Sequence, residues 1–314
     1  MKNYDAIVVG GSFAGLSAAM QLVRARRKVL LLDSGKPRNR FSPAVHGFLG
    51  LDGMAPGEIK ALALGQLRAY PMFEYVEGVA HAAHRQGEGF VVEWAQHGHA
   101  SSADEMPATQ SAGAYGTCLI LATGVTDTLP PIAGLAERWG QTVLHCPYCH
   151  GYEVGGGAIG VLAAFPQSAH QAMMLPDWGD TTYFTQAIHE PAAEEAAQLL
   201  ARGVRIERVP VVELLGGPPA LEAVRLADGR VLALRAIFTA PATAMASPLA
   251  EQLGCAFDAG PTGPHIQVDA LQQTSIPGVF AAGDAATARH NGVLATAAGL
   301  LAGVSAHRAL ILAA

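Results

Sequence analysis

Residues 145–153 read HCPYCHGYE and hold four groups able to do chemistry: His145, Cys146, Cys149 and His150. Two cysteines separated by two residues and followed at once by a histidine match the pattern for covalent c-type haem attachment. With His145 added, the same residues offer four zinc ligands. The pair can also close as a reversible disulfide, with the adjacent imidazole favouring the thiolate. Nine residues leave all three chemistries open.

Two further segments carry chemistry of another kind. GGSFAG, from Gly10 to Gly15, is a near match to the G-x-G-x-x-G turn with Ser12 in place of the middle glycine. Small residues there let the backbone approach a pyrophosphate, and the helix that follows offers its positive N-terminus. Asp33 stands about twenty residues on, where an acid accepts hydrogen bonds from the hydroxyls of an unmodified ribose. GVFAAGD ends in Gly283 and Asp284 just before a helix, an arrangement suited to a ribityl or phosphate chain.

These groups need a scaffold, and composition bounds it. With 314 residues, half of them apolar, 15% charged and 36 glycines, the chain suits an α/β protein of two ordinary domains. The net charge is −6 and the basic residues are scattered apart from RARRK at 24–28, so a nucleic-acid footprint is missing. The N-terminal MKNYDAIVVGGSFAG lacks a signal-peptide core, and a cytoplasmic protein is expected. The apolar stretch 292–306 is diluted by Gly, Thr and Ser and falls short of the roughly 18 residues of a membrane span, so it reads as a buried helix. Cys118 and Cys255 have no close partner in sequence and read as small core residues.

Apolar spacing predicts a strand over 5–9, a helix over 13–26 and a strand over 28–33, followed by an irregular loop over 37–53. A helix near 57–70, a meander strand at 90–95, a polar hairpin loop over 96–116 and a buried strand within 117–124 come next. The prolines of VTDTLPPIAG mark a crossing, and the strand–turn–helix theme restarts at 155–165 with strands near 182–186, 204–209 and 235–239. A return crossing at 241–249 leads to one more strand and a long closing helix. The expected fold is α/β with two Rossmann-like, three-layer nucleotide-binding domains. One is discontinuous, 1–126 with 244–314, and the other, 127–243, is inserted and carries the cysteine pair.

VVGGSFAGLSAA, LILATG, CPYC and TSIPGVFAAGD, in this order and at these separations, resemble the thioredoxin reductase family of flavoproteins over essentially the whole chain. The resemblance implies FAD on the outer segments, a pyridine-nucleotide-type central domain with a redox-active cysteine pair, and a homodimer. It assigns to FAD the residues Gly10, Gly11, Ser12, Phe13, Ala14, Asp33, Ala122, Thr123, Gly124, Gly283 and Asp284. Gly292, Val293 and Leu294 would open the helix beside the flavin ring. It also implies that Cys146 exchanges with substrate while Cys149 faces the flavin.

Haem attachment would leave both flavin-type segments unexplained. Four ligands so close in sequence cannot easily surround one tetrahedral zinc, and no second Cys/His pair stands at ligand-like spacing. A reversible disulfide and no metal are therefore expected, with Pro147 making a tight turn between the cysteines. His145 reads as a packing or solvated residue.

Position 150 departs from the ordinary reductases, which carry an acid after the second cysteine. A histidine there resembles the flavin-dependent dithiol oxidases of the gliotoxin and holomycin type. With an unperturbed pKa near ~6.5, it can take a proton from an incoming thiol and return it. The central domain departs further. VLAAFPQSA at 161–169 puts alanines, Phe165 and Pro166 where glycines would cradle a pyrophosphate. TQAIHEP replaces a basic cluster, with Glu190 set to repel a 2′-phosphate, and IFTAPATAM at 237–245 lacks its glycine. NADPH is thus not the expected donor. The expected donor is a small-molecule dithiol and the expected acceptor dioxygen, and Cys146, Cys149 and His150 are the expected catalytic residues. The alternatives are a thioredoxin reductase, driven by NADPH or ferredoxin and acting on a thioredoxin-like protein, and a non-catalytic flavin-binding sensor.

Overall fold

The computed structural model describes residues 1–96 and 110–312. The chain forms two compact units, one of residues 1–38, 57–126 and 244–314, the other of residues 39–56 and 127–243.

In the first unit, β1 (Lys2–Val9), α1 (Phe13–Arg24) and β2 (Val29–Asp33) build a βαβ motif, and α2 (Pro56–Arg68) leads to β3 (Phe73–Glu77). A two-stranded arm, β4 (Val79–Gln86) and β5 (Gly89–Gln96), precedes β6 (Gln110–Leu121). Strands β3, β2, β1 and β6 lie parallel in that order. The start of β6 pairs antiparallel with β5, and its end pairs parallel with Val279–Ala281. Residues 111–116 are therefore strand where a polar hairpin loop was expected. Their small side chains give little strand signal, yet β1 and β5 hydrogen-bond them from both sides. Residues 97–109 of that expected loop lie outside the described residues.

Period-two alternation sorts the side chains onto two faces. Ile7, Val9, Leu30, Leu32, Leu119 and Leu121 face Phe90, Val92 and Trp94 of the arm, while Ala6, Val8, Val29, Leu31 and Ile120 meet Leu16, Ala19 and Leu22 of α1. The closing helix Gly292–Leu312 packs on the same side. At 21 residues it is longer than the stretch 292–306 suggested, and by length and composition it could cross a membrane. The apolar pattern resumes beyond His307 and Arg308. Gly299 and Gly303 lie directly against the backbone of Ala14 and Ala18, so no larger residue fits there. Only this face is buried, and Leu300, Leu301, Val304 and Ile311 remain exposed, so the helix is half-buried rather than buried.

The second unit holds a five-stranded parallel sheet in the order Arg205–Glu207, Asp180–Phe184, Ala158–Leu162, Ala236–Phe238 and Val143–Leu144. The helix α3 (Pro147–Val154) follows the edge strand, and α4 (Ser168–Met174) follows the central one. Helices cover one face, and a three-stranded antiparallel sheet over 211–233 covers the other. Arg138, buried to 2% exposure, donates to the carbonyls of Gly134, Ala220 and Gly216 and so ties the two sheets' connections together. The fold is α/β, with two nucleotide-binding-type units.

Candidate active site

Cys146 and Cys149 are joined as a disulfide, with Cα atoms 5.3 Å apart. Cys146 is the N-cap of α3 and Pro147 its first residue. Pro147 thus starts a helix instead of making a tight turn, because its fixed φ is already helical and its missing N–H leaves no donor unpaired there. Cys149 N–H donates to Cys146 O at 3.3 Å. Both sulfurs consequently sit in the first turn, where the positive helix end favours a thiolate.

Two residues without a signal in the sequence seat this helix. Gln171 Nε2 on α4 donates to His145 O at 2.7 Å, fixing the residue before Cys146. Trp178 packs over Gly151, where any Cβ would lie within 3 Å of the indole, and Tyr148 meets the same ring edge-on at 5.6 Å. Tyr148 and Tyr152 themselves are largely exposed.

His150 lines a cavity of about 230 Å³ with His46, Leu144, Glu153, Val154 and Arg235 among its other walls. Burial pulls the His150 pKa below its ordinary value; the Glu153 carboxylate opposes this by favouring the charged ring, and His46 adds to the lowering. Burial wins, so a neutral imidazole able to accept a proton is present at pH 7. His46 comes from the segment 39–56, which sequence reading left as an irregular loop without a role. Its Nδ1 lies 3.4 Å from Glu153 Oε1 and 3.7 Å from Asp52 Oδ1.

In the first unit, the residues assigned to FAD gather at the C-terminal ends of β1, β2 and β6. Gly10 has φ +111°, and a side chain there would strike the Ala122 carbonyl; one at Gly11 would strike the Asp33 carboxylate. The turn is therefore bare of side chains. Ser12 caps α1 without a side-chain hydrogen bond, Phe13 and Ala14 form the first turn, and no acid stands there. Ala122, Thr123 and Gly124 follow β6 directly, Gly124 with φ +70°. Gly283, φ +73°, lies against Ala14, and Asp284 is held by Arg38 at 2.9 Å. A side-chain-free cradle at a helix N-terminus fits a dinucleotide pyrophosphate.

Others of these residues also have partners that sequence reading missed. Asp33, 5% exposed, accepts from Lys60 Nζ, from Tyr75 Oη at 3.1 Å and from Gly35 N–H at 3.0 Å. Burial pushes its pKa up, but the hydrogen bonds from Lys60, Gly35 and Tyr75 and the Lys60 charge outweigh that and hold it below the usual carboxylate range. Roughly one of its four lone-pair sites remains for a ribose hydroxyl. At the start of the closing helix, Asn291 Oδ1 accepts the N–H groups of Val293 and Leu294 at 2.9 and 3.2 Å, next to Gly292.

The corresponding turn of the second unit is closed on itself. Ser168, 4% exposed, accepts through Oγ the N–H groups of Ala164 and Phe165 at 3.1 and 3.2 Å. These are amides that an open dinucleotide turn would present to a phosphate. Glu190 is paired with Arg208 Nη2 at 2.6 Å, which offsets the lone negative charge expected of it.

Residues 4–300 match the family model described as pyridine nucleotide-disulphide oxidoreductase. The thioredoxin reductase tcpT of Claviceps purpurea is 32% identical over 98% of this chain and 94% of its own length. Thioredoxin reductase sirT of Leptosphaeria maculans is 29% identical over 96% of this chain and 92% of its own. Among solved structures, an oxidoreductase from Agrobacterium tumefaciens superposes with a TM-score of 0.90 at 48% identity, covering 99% of both chains. HlmI superposes with a TM-score of 0.85 at 32% identity, covering 98% of this chain and 93% of that one.

Proposed function

The chain belongs to the pyridine nucleotide-disulphide oxidoreductase family as an FAD-binding, thioredoxin reductase-like enzyme, and from that premise we propose that it oxidises small-molecule dithiols to disulfides with dioxygen as final acceptor. The observation that carries this reading is the Ser168 closure of the second unit's turn, which turns inward the amides a nicotinamide dinucleotide would need. A neutral, proton-accepting His150 one residue after Cys149 supports it.

In the proposed cycle, His150 takes the proton of one substrate thiol, and the resulting thiolate attacks Cys146 Sγ. Cys149 leaves as a thiolate, stabilised by the N-terminus of α3. The second substrate thiol then attacks the substrate sulfur of the mixed disulfide and releases Cys146. Gly10, Gly11, Ser12, Phe13 and Ala14 would hold the FAD pyrophosphate, Asp33 the ribose, and Ala122–Gly124, Gly283, Asp284 and the Gly292–Leu294 turn the remainder. Bound FAD supplies the two-electron acceptor through which the disulfide is restored and dioxygen reduced.

A homodimer in the cytoplasm belongs to the same proposal. The exposed apolar row Leu300, Leu301, Val304 and Ile311 supports the association. The names of the tcpT and sirT relatives favour a second reading, NADPH-driven reduction of thioredoxin. Oxygen consumption with dithiothreitol, measured beside anaerobic flavin bleaching with NADPH, separates the two. Dithiol-dependent consumption without bleaching is expected, and bleaching by NADPH with no dithiol response overturns the proposal.

A further inference from the structure

Oxidising a dithiol releases two protons, and one imidazole holds only one of them at a time. His150 shares its cavity with a second imidazole, His46, and with Glu153, which stands one helical turn after His150 on α3 and 3.4 Å from His46 Nδ1. His46 is brought there by residues 39–56, which interrupt the first unit in sequence but pack with the disulfide-bearing one.

We propose that Glu153 and His46 are positioning residues forming a proton relay that empties His150 between the two thiol steps. The inference rests on the dithiol-oxidising reading. The first substrate thiol gives its proton to His150, and its thiolate forms a bond to Cys146 as the Cys146–Cys149 bond breaks. That proton then passes by way of the Glu153 carboxylate to His46, and His150 is neutral again. The second substrate thiol gives its proton to His150, the substrate disulfide closes, and Cys146 leaves. Two electrons have entered the cysteine sulfurs, and two protons rest on His46 and His150. The oxidant in these steps is the disulfide already present.

The charges facing the relay are few. Asp52 Oδ1 lies 3.7 Å from His46 Nδ1, the same nitrogen that Glu153 approaches, and Arg235 lines the cavity with no ion pair among the described residues. Glu153 and His46 act oppositely on His150, the first favouring its charged form and the second its neutral one.

That opposition supplies the test. In the full-length, FAD-loaded protein, Glu153→Gln should move the acid limb of the kcat/KM profile for dithiothreitol to lower pH, and His46→Asn should move it to higher pH. Both should lower the plateau rate roughly tenfold or more, with Glu153→Asp restoring part of it. A purely structural role would not shift the limb in opposite directions. Plateau and limb unchanged in both variants of a wild type that turns over would overturn the relay. Alkylation of Cys146 by iodoacetamide in the reduced protein, followed against pH, reports on the same imidazole without turnover. If the wild type ignores dithiols while the alkylation profiles still shift in opposite directions, the dithiol reading fails and the relay stands.

Discussion

Lys60 on α2 donates its ammonium hydrogen to the carboxylate of Asp33 at the end of β2, across 27 positions of sequence. The pair sits beneath the bare turn at Gly11, so the residue expected to read a ribose is itself clamped from below. Lys60→Met should leave a nearly buried carboxylate short of a donor and cost about 1–3 kcal/mol in urea denaturation. The Asp33 pKa is depressed by folding, so its contribution is complete above the unfolded value near ~3.9 and fades as pH falls through the lower folded value. Wild type should therefore outlast Lys60→Met at pH 7, with the gap closing below about pH 4.

The pH dependence of thiol chemistry should follow His150. Its folded pKa is depressed by burial, so the proton-accepting form persists below the free-imidazole value of ~6.5. The acid limb of kcat/KM for a dithiol should lie below that value, and His150→Gln should flatten it and lower the plateau by about 10²-fold or more. The same depression predicts that His150 contributes stability above pH ~6.5, lost as pH falls through the folded pKa. Thermal melts of wild type and His150→Gln from pH 5 to 8 read that difference.

Ser168→Ala should uncover the amides of Ala164 and Phe165 and destabilise the second unit by about 1–3 kcal/mol. It should not restore a nucleotide site, because Phe165 and Pro166 still crowd the turn. Isothermal titration of NADPH into wild type and variant should show no binding at millimolar concentration in either.

Cys149→Ser should abolish dithiol turnover while the protein stays yellow, since FAD is assigned to residues of the other unit. Given a disulfide such as glutathione disulfide, the unpaired Cys146 thiolate should attack it, release one glutathione thiol and accumulate as a mixed disulfide, visible as added mass in intact-protein mass spectrometry. A yellow variant that turns over normally would remove the pair from the reaction.

Gly299→Val and Gly303→Val place methyl groups against the backbone of Ala14 and Ala18. Each should cost about 1–3 kcal/mol by overpacking, and the first should also loosen FAD because it pushes on the opening turn of α1. Denaturation midpoints and flavin fluorescence on dilution measure the two effects.

The elements that sequence reading captured are those whose signals are local. The run from Lys2 to Asp33 switches from period two to helical spacing across a glycine turn, and CPYC reads as a reversible disulfide once the flavin-type segments on either side of it are taken into account. The start of β6 escaped because SAGAYG has little strand propensity and is held by neighbours on both sides. The His46–Glu153 contact and the Lys60–Asp33–Tyr75 cluster were invisible for a similar reason, since each joins residues far apart in the chain. The closing helix was legible as a long one, but its exposed face was not, because a run apolar on all sides offers no polar side to mark it.

Because the segment carrying His46 is stitched into the disulfide-bearing unit while lying between β2 and α2, the polypeptide passes from one unit to the other four times. No single excision frees that unit whole. A recombinant piece spanning 127–243 would keep both redox sulfurs yet lose a wall of the cavity beside His150. Dissection or grafting of this module therefore calls for a circularly permuted or two-piece gene that carries residues 39–56 along.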